Sequence, residues 1–254
     1  MSAFLEGKGR SVLILGATSS VARALAAEFA ACGYELFLAA RPGEDLDAVA
    51  ADVALRKRAR VHACPLDALD FDSHDAFWNG IVERVGESLA GVVLCFGYLG
   101  DQAKGQQDPD EARRIVDTNF TAAVSLLNRA ANYLEPRKRG FVCALSSVAG
   151  DRGRQSNYLY GAAKAGLSAY LQGLRNRLFK AGVKVTTIKP GFMDTRMTFG
   201  KPGLFLVAAP EKAARQVFRA LAAGKDVAYV PGFWWPIMSV IRCVPEFVFK
   251  RLKL

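Results

Sequence analysis

With 254 residues, 51% of them hydrophobic and 23% charged, the chain has the size and balance of one packed α/β domain, which excludes a disordered chain and leaves no room for two comfortable domains. The formal net charge of +10 is dispersed, with small clusters at residues 56–58, 137–139 and 250–253. No basic stripe or recognisable module accompanies it, which argues against nucleic acid as a partner. No stretch approaches about 20 uncharged apolar residues, which argues against a spanning helix.

Residues 1–10 lack the apolar core of a secretory signal. Cys32, Cys64, Cys95, Cys143 and Cys243 are scattered without a CxxC pair, the usage of reduced thiols in a cytoplasmic protein. His62 and His74 are too isolated to form a metal site, so no metal is expected.

In chain order, short apolar runs alternate with helical periodicity. Strands are expected at Ser11–Leu15, Glu35–Ala40, Val61–Pro65, Gly91–Phe96, Gly140–Leu145, Val183–Ile188 and Asp226–Val230. Helices are expected at Val21–Ala31, Asp45–Arg58, Ser73–Val85, Glu111–Asn132, Tyr158–Lys180 and Pro210–Ala223. Apolar, β-branched strands suit a parallel sheet covered on both faces. Repeated βα units give a Rossmann-type doubly wound sheet of about seven strands, with its ligand crevice at the carboxyl ends. Residues 1–232 read as the catalytic domain and 233–254 as an amphipathic tail.

The turn between the first strand and first helix carries Gly16, Thr18, Ser19, Ser20 and Val21. Small residues at a helix N-terminus let unpaired amides approach a pyrophosphate, although an ordinary capped turn has the same composition. Arg41, after the second strand, either pairs with the 2′-phosphate of NADP or is a solvated loop arginine. On that basis NADP(H) is preferred over NAD(H). Asp67, after the third strand, either receives the adenine amino group or caps a turn. Gly97 follows the fourth strand.

The most informative segment runs from Leu145 to Lys164. Ser147 stands at a strand end, where a hydroxyl can donate to a carbonyl gaining charge. Tyr160 and Lys164 are four residues apart on one helical face, where an ammonium near a phenol is expected to lower the tyrosine pKa. These residues resemble the classical short-chain dehydrogenase/reductase family, in which a serine lies thirteen residues before the tyrosine of Tyr-x-x-x-Lys. The resemblance implies Ser147, Tyr160 and Lys164 as catalytic residues, and Asn119 as the holder of a relay water. It also implies nicotinamide contacts from Pro190, Gly191 and Thr195, further cofactor contacts from Tyr160 and Lys164, and a homo-oligomer built through the helices at 111–132 and 158–180. Two departures stand out: only Gly16 remains of the family's three turn glycines, and residues 94–97 read LCFG where the family has NNAG.

The tail combines Phe233, Trp234 and Trp235 with terminal basic residues, and with Pro236, Pro245, Arg242 and Glu246, which, with Pro231 just before it, do not suit a bilayer span. It suits either a helix in the membrane interface or a tail packed on its own domain or a neighbouring subunit. Together with residues 150–157 (GDRGRQSN) it is similar to a bacterial subgroup typified by decaprenylphospho-2-keto-erythro-pentofuranose reductase. That similarity implies reduction of a polyprenyl-phosphate-linked keto sugar at the cytoplasmic membrane face; Arg152 and Arg154, between Ser147 and Tyr160, are either phosphate ligands or exposed loop arginines. A soluble reductase of another carbonyl and a non-catalytic cofactor-binding scaffold are the alternatives.

Overall fold

Alternation along the first strand determines which side of the molecule each residue serves. In β1 (Ser11–Leu15) all five residues are buried. Val12 and Ile14 pack with Leu25 and Phe29 on one face of the sheet, while Leu13 and Leu15 pack with Leu126 and Leu167 on the other. This is the burial a parallel strand acquires when helices cover both faces. The computed structural model describes residues 6–195 and 206–252.

The remaining strands are β2 (Glu35–Ala40), β3 (Val61–Pro65), β4 (Leu89–Leu94), β5 (Phe141–Leu145), β6 (Lys184–Pro190) and β7 (Val227–Val230). With β1, they form one seven-stranded sheet in the order β3-β2-β1-β4-β5-β6-β7, and neighbouring strands pair parallel. The helices are α1 (Ser20–Ala31), α2 (Glu44–Lys57), α3 (His74–Val85), α4 (Gln102–Gly105), α5 (Pro109–Val116), α6 (Ala122–Arg137), α7 (Tyr158–Phe179), α8 (Pro210–Ala222), α9 (Trp234–Cys243) and α10 (Glu246–Phe249). Helices α1, α2 and α8 cover one face through residues such as Phe29, Val49 and Val217, while α3, α6 and α7 cover the other through Ile81, Leu127 and Leu171. The fold is the α/β Rossmann architecture expected from the alternating pattern. Strand order reverses between β1 and β4, and that switch point opens the crevice at their carboxyl ends.

Three local differences from the sequence reading have physical causes. The helix expected over 111–132 is broken: α5 ends at Val116, and residues Asp117–Thr121 form a π turn before α6. There the Asn119 side chain donates to Ile115 O at 2.8 Å, and the Ala122 amide reaches back five residues to Asp117 O. Helix α6 then runs five residues past the expected end, because Tyr133 and Leu134 are buried in the core. Strand β4 stops at Leu94, since Cys95 and Phe96 turn to cross Gly16.

The tail folds into α9 and α10. Trp234 and Met238 are buried with Val148, and Phe192, Tyr229, Ile237 and Ile241 pack around them. Among the described residues, no helix is long and apolar enough to cross a membrane.

Candidate active site

At the switch point, Gly16 adopts a φ of +84°, and a Cβ there would lie 2.5 Å from the Phe96 amide nitrogen. Both facts demand glycine, which explains why this one survives where the other two family glycines are serine and alanine. Ser19 caps α1, its hydroxyl accepting from the Ala22 amide at 3.2 Å. The Gly16 and Ala17 amides donate to Ala39 O, and the Ser19 amide to Gly16 O. That leaves the Ser20 and Val21 amides as free first-turn donors among the described residues. No acidic residue occupies the first turn of α1, so its partial positive charge is uncompensated. Such a turn fits a pyrophosphate.

On the other side of β1, Asn119 is buried and spans two segments. Its Oδ1 accepts from the Tyr98 amide at 3.2 Å, and its Nδ2 donates to Tyr98 O and Ile115 O. This ties the loop after β4 to the π turn. A Cβ on Gly97 would come within 2.9 Å of Asn119 Oδ1 and 3.4 Å of Lys164 Nζ, so the three residues meet at one point. Lys164 Nζ donates to Leu145 O at 3.1 Å, at the end of β5.

The two serines after β5 separate by partner. Ser146 is directed into α7, donating to Lys164 O at 2.9 Å and lying 2.7 Å from Ser168 Oγ. Ser147 remains with the site: its Oγ accepts from the Ala149 amide at 3.0 Å and is near enough to the Tyr160 phenol to favour the ionised form. Of the two serines, the one thirteen residues before Tyr160 is the one left beside its phenol.

The electrostatics differ from the sequence expectation in one respect. Burial pushes the Tyr160 phenol up to about 12, and the Ser147 hydrogen bond offsets only part of that rise. Burial also pulls Lys164 down to about 8, with Cys95 opposing. The lysine lies 5.7 Å from the tyrosine ring centroid, and its ammonium is turned to a carbonyl. Desolvation thus outweighs the charge interaction that was expected to lower the tyrosine. A phenol so held keeps its proton at neutral pH, the state required of a proton donor.

The remaining predicted residues lie around the same rim. Arg41 is exposed just beyond β2. Asp67 is exposed and its Oδ1 accepts from the Leu69 amide at 3.0 Å, the turn-capping bond that was one of its two readings. Pro190 ends β6, and the Gly191 amide donates to Val230 O at 2.9 Å. Thr195 is half-buried beyond them.

Several contacts near the site do not follow from the sequence, and Arg152, a candidate phosphate ligand there, is engaged otherwise. Asp151 is almost fully buried and pairs with Lys189 Nζ, while its second oxygen accepts from Tyr229 at 2.6 Å. Arg152 binds Glu246 at 2.6 Å and lies 4.3 Å from the Phe249 ring centroid, clamping α10 onto the loop before α7. Glu111 is buried and accepts from Tyr98 Oη at 2.9 Å. Lys189, near the buried end of β6, was the available signal for the first cluster, because a buried ammonium requires a partner.

Residues 10–201 match the short chain dehydrogenase family, and the chain belongs to it. It is an oxidoreductase acting on a carbonyl/alcohol pair with a nicotinamide cofactor. An uncharacterized oxidoreductase of Mycobacterium tuberculosis is 38% identical over 241 residues, covering 95% of this chain and 96% of the relative. Sulfoacetaldehyde reductase of Chromohalobacter salexigens is 32% identical over 250 residues, covering 96% and 92%. Among solved structures, a short-chain dehydrogenase from Sphingobium yanoikuyae in complex with NADPH superposes with a TM-score of 0.80, at 22% identity, over 93% of this chain and 97% of that one.

Proposed function

We propose that the chain reduces a ketone to a secondary alcohol with NADPH, on a keto sugar linked to a polyprenyl phosphate, at a membrane surface. The observation that carries the chemistry is the convergence of Ser147 on Tyr160, beside a buried Lys164 that meets Gly97 and Asn119. In this reading Ser147 donates a hydrogen bond to the substrate carbonyl. Tyr160 gives its proton to the oxygen as it becomes an alkoxide. Lys164 holds positive charge behind the phenol, and Asn119 orders the path by which that proton is replaced. A bound nicotinamide supplies the hydride. Gly16, Thr18, Ser19, Ser20 and Val21 would hold its pyrophosphate. Arg41 would take the 2′-phosphate, and Asp67 the adenine. Gly97, Tyr160, Lys164, Pro190, Gly191 and Thr195 would line the nicotinamide side.

The membrane part of the reading is supported by the outer face of the tail. Trp235 is 59% exposed, Val240 68% and Phe247 63%, and Arg242, Lys250 and Arg251 are exposed beside them. Aromatic and basic groups of this kind suit a headgroup interface.

The test is NADPH oxidation with a polyprenyl-phosphoryl keto-pentose in lipid vesicles. Tyr160→Phe is expected to lose about 10²- to 10⁴-fold in turnover while binding NADPH as tightly as the parent. Equal turnover by that variant rejects the mechanism. Activity confined to water-soluble carbonyls rejects the substrate class. One such class has its own support, since the relative named for sulfoacetaldehyde acts on a small carbonyl compound bearing a sulfonate.

A further inference from the structure

Arg152 and Arg154 differ in what they bind. Arg152 is committed to Glu246 and to the Phe249 ring. Arg154 is half-buried on the same loop, and among the described residues its one hydrogen-bond acceptor is a thioether, Met238 Sδ, 3.4 Å from Nη2. Its Nε is buried without a hydrogen-bond partner. Guanidinium groups are rarely left this way, because five donors in a rigid fork make them strong binders of carboxylate and phosphate.

The neighbouring carboxylate does not resolve the shortage. Asp151 lies close enough to influence Arg154, yet one of its oxygens is engaged by Lys189 and the other by Tyr229. One carboxylate therefore faces two cations, and the cluster carries an uncompensated positive charge. Burial weakens the hold of Arg154 on its own proton, and Asp151 only partly restores it. Uncompensated charge in a part-buried position is costly in the free protein and is relieved by an incoming anion.

The position is suited to substrate. Arg154 stands on the segment joining Ser147 to Tyr160. Met238, which it touches, packs with Val148 and Trp234, and Trp234 covers Gly191. We propose that Arg154 is the anion-recognition residue of the substrate cleft, binding a phosphate ester with Nε and Nη2, and that Arg152 is a tail clamp without that role. This rests on the reductase reading for its place beside the hydride site and adds the charge class of the substrate. The phosphate can belong to a soluble sugar phosphate or to a lipid headgroup.

The experiment is calorimetric titration of the NADPH-loaded full chain with two probes, soluble phenyl phosphate and detergent-dispersed polyprenyl phosphate. Saturable binding is expected for at least one. Binding of both indicates that the phosphate suffices, and binding of the lipid alone identifies the headgroup as the source. Arg154→Met is expected to weaken binding about 10- to 100-fold, Arg154→Lys less, and Arg152→Met within about twofold. Equal melting temperatures for parent and Arg154→Lys guard against a folding artefact. No saturable binding of either probe, or binding unchanged in Arg154→Met, overturns the proposal. The outcome is separable from that of the reaction. Turnover of the lipid-linked keto sugar with KM unchanged in Arg154→Met keeps the reductase and removes the anion site. Phosphate binding through Arg154 without turnover does the reverse.

Discussion

Gly191 and Trp234 are in direct contact: a methyl group at position 191 would lie 1.9 Å from Trp234 Nε1 and 2.1 Å from its Cε2. The indole is 2% exposed and meets Phe192 edge-on at 5.5 Å, with Met238 and Val148 in the same cluster, so it has little room to retreat. The loop after β6 and the first turn of α9 therefore fit only with glycine at 191. Gly191→Ala is expected to cost about 1–3 kcal/mol of stability, read by urea denaturation, with a loss of turnover. Adding Trp234→Leu should recover part of the first loss. Unchanged stability in the single variant would mean that the tail is not docked on this loop.

Gly97 raises a different question, because its forbidden Cβ points at functional groups. The added methyl would press on Asn119 Oδ1 and Lys164 Nζ. Asn119 can yield only by losing its bonds to Tyr98 or Ile115, and a buried polar group left unpaired costs about 1–3 kcal/mol. Gly97→Ala should therefore lower kcat at least tenfold while the protein stays folded by circular dichroism. A variant with parental kcat would remove Asn119 and Lys164 from the rate-determining geometry.

The Arg152 clamp should be local in effect. Its partner Glu246 is 77% exposed, and exposed pairs contribute about 0–1 kcal/mol. The stacking on Phe249 adds about 0.5–1 kcal/mol more. Arg152→Ala is thus expected to leave the global urea midpoint nearly unchanged, while amides of residues 244–252 exchange markedly faster. Uniform acceleration over the whole chain would contradict a local clamp.

These expectations also mark where the sequence was legible. Alternating apolar runs and helical periodicity located all seven strands, since parallel strands are buried on both faces and must be continuously apolar. The spacing of Ser147, Tyr160 and Lys164 pointed to residues that meet in space, because strand end and helix start fix their positions. The break around Asn119 was hidden, as the apolar period continues through it and the cause is one side chain bonding a carbonyl. The Asp151–Lys189–Tyr229 cluster was hidden for another reason. Its members come from three segments of the chain, and only the fold brings them together. The direction of the Tyr160 shift likewise depended on burial, which spacing does not report.

Burial of Lys164 and Tyr160 makes stability depend on pH in opposite senses. Lys164 titrates at about 8 in the folded protein against 10.5 in the unfolded chain. Between those values the unfolded chain holds more protons, so stability rises with pH. Tyr160 keeps its proton up to about 12 against 10.0 unfolded, so stability falls again above pH 10. Below pH 8 the folded state bears the whole cost of a buried ammonium, on the order of 3 kcal/mol. Lys164→Met removes that cost but leaves Leu145 O without its donor, which returns about 1–3 kcal/mol. The variant should therefore gain on the parent by up to about 2 kcal/mol at pH 7 and lose that advantage by pH 10.5, while turnover collapses. In the parent, reductive kcat/KM should decline as pH rises through about 8, where Lys164 loses its charge. Urea midpoints of both proteins from pH 6 to 10.5 decide the matter. A stability difference between the two proteins that stays the same from pH 7 to pH 10.5 would show that Lys164 is not a destabilising buried charge.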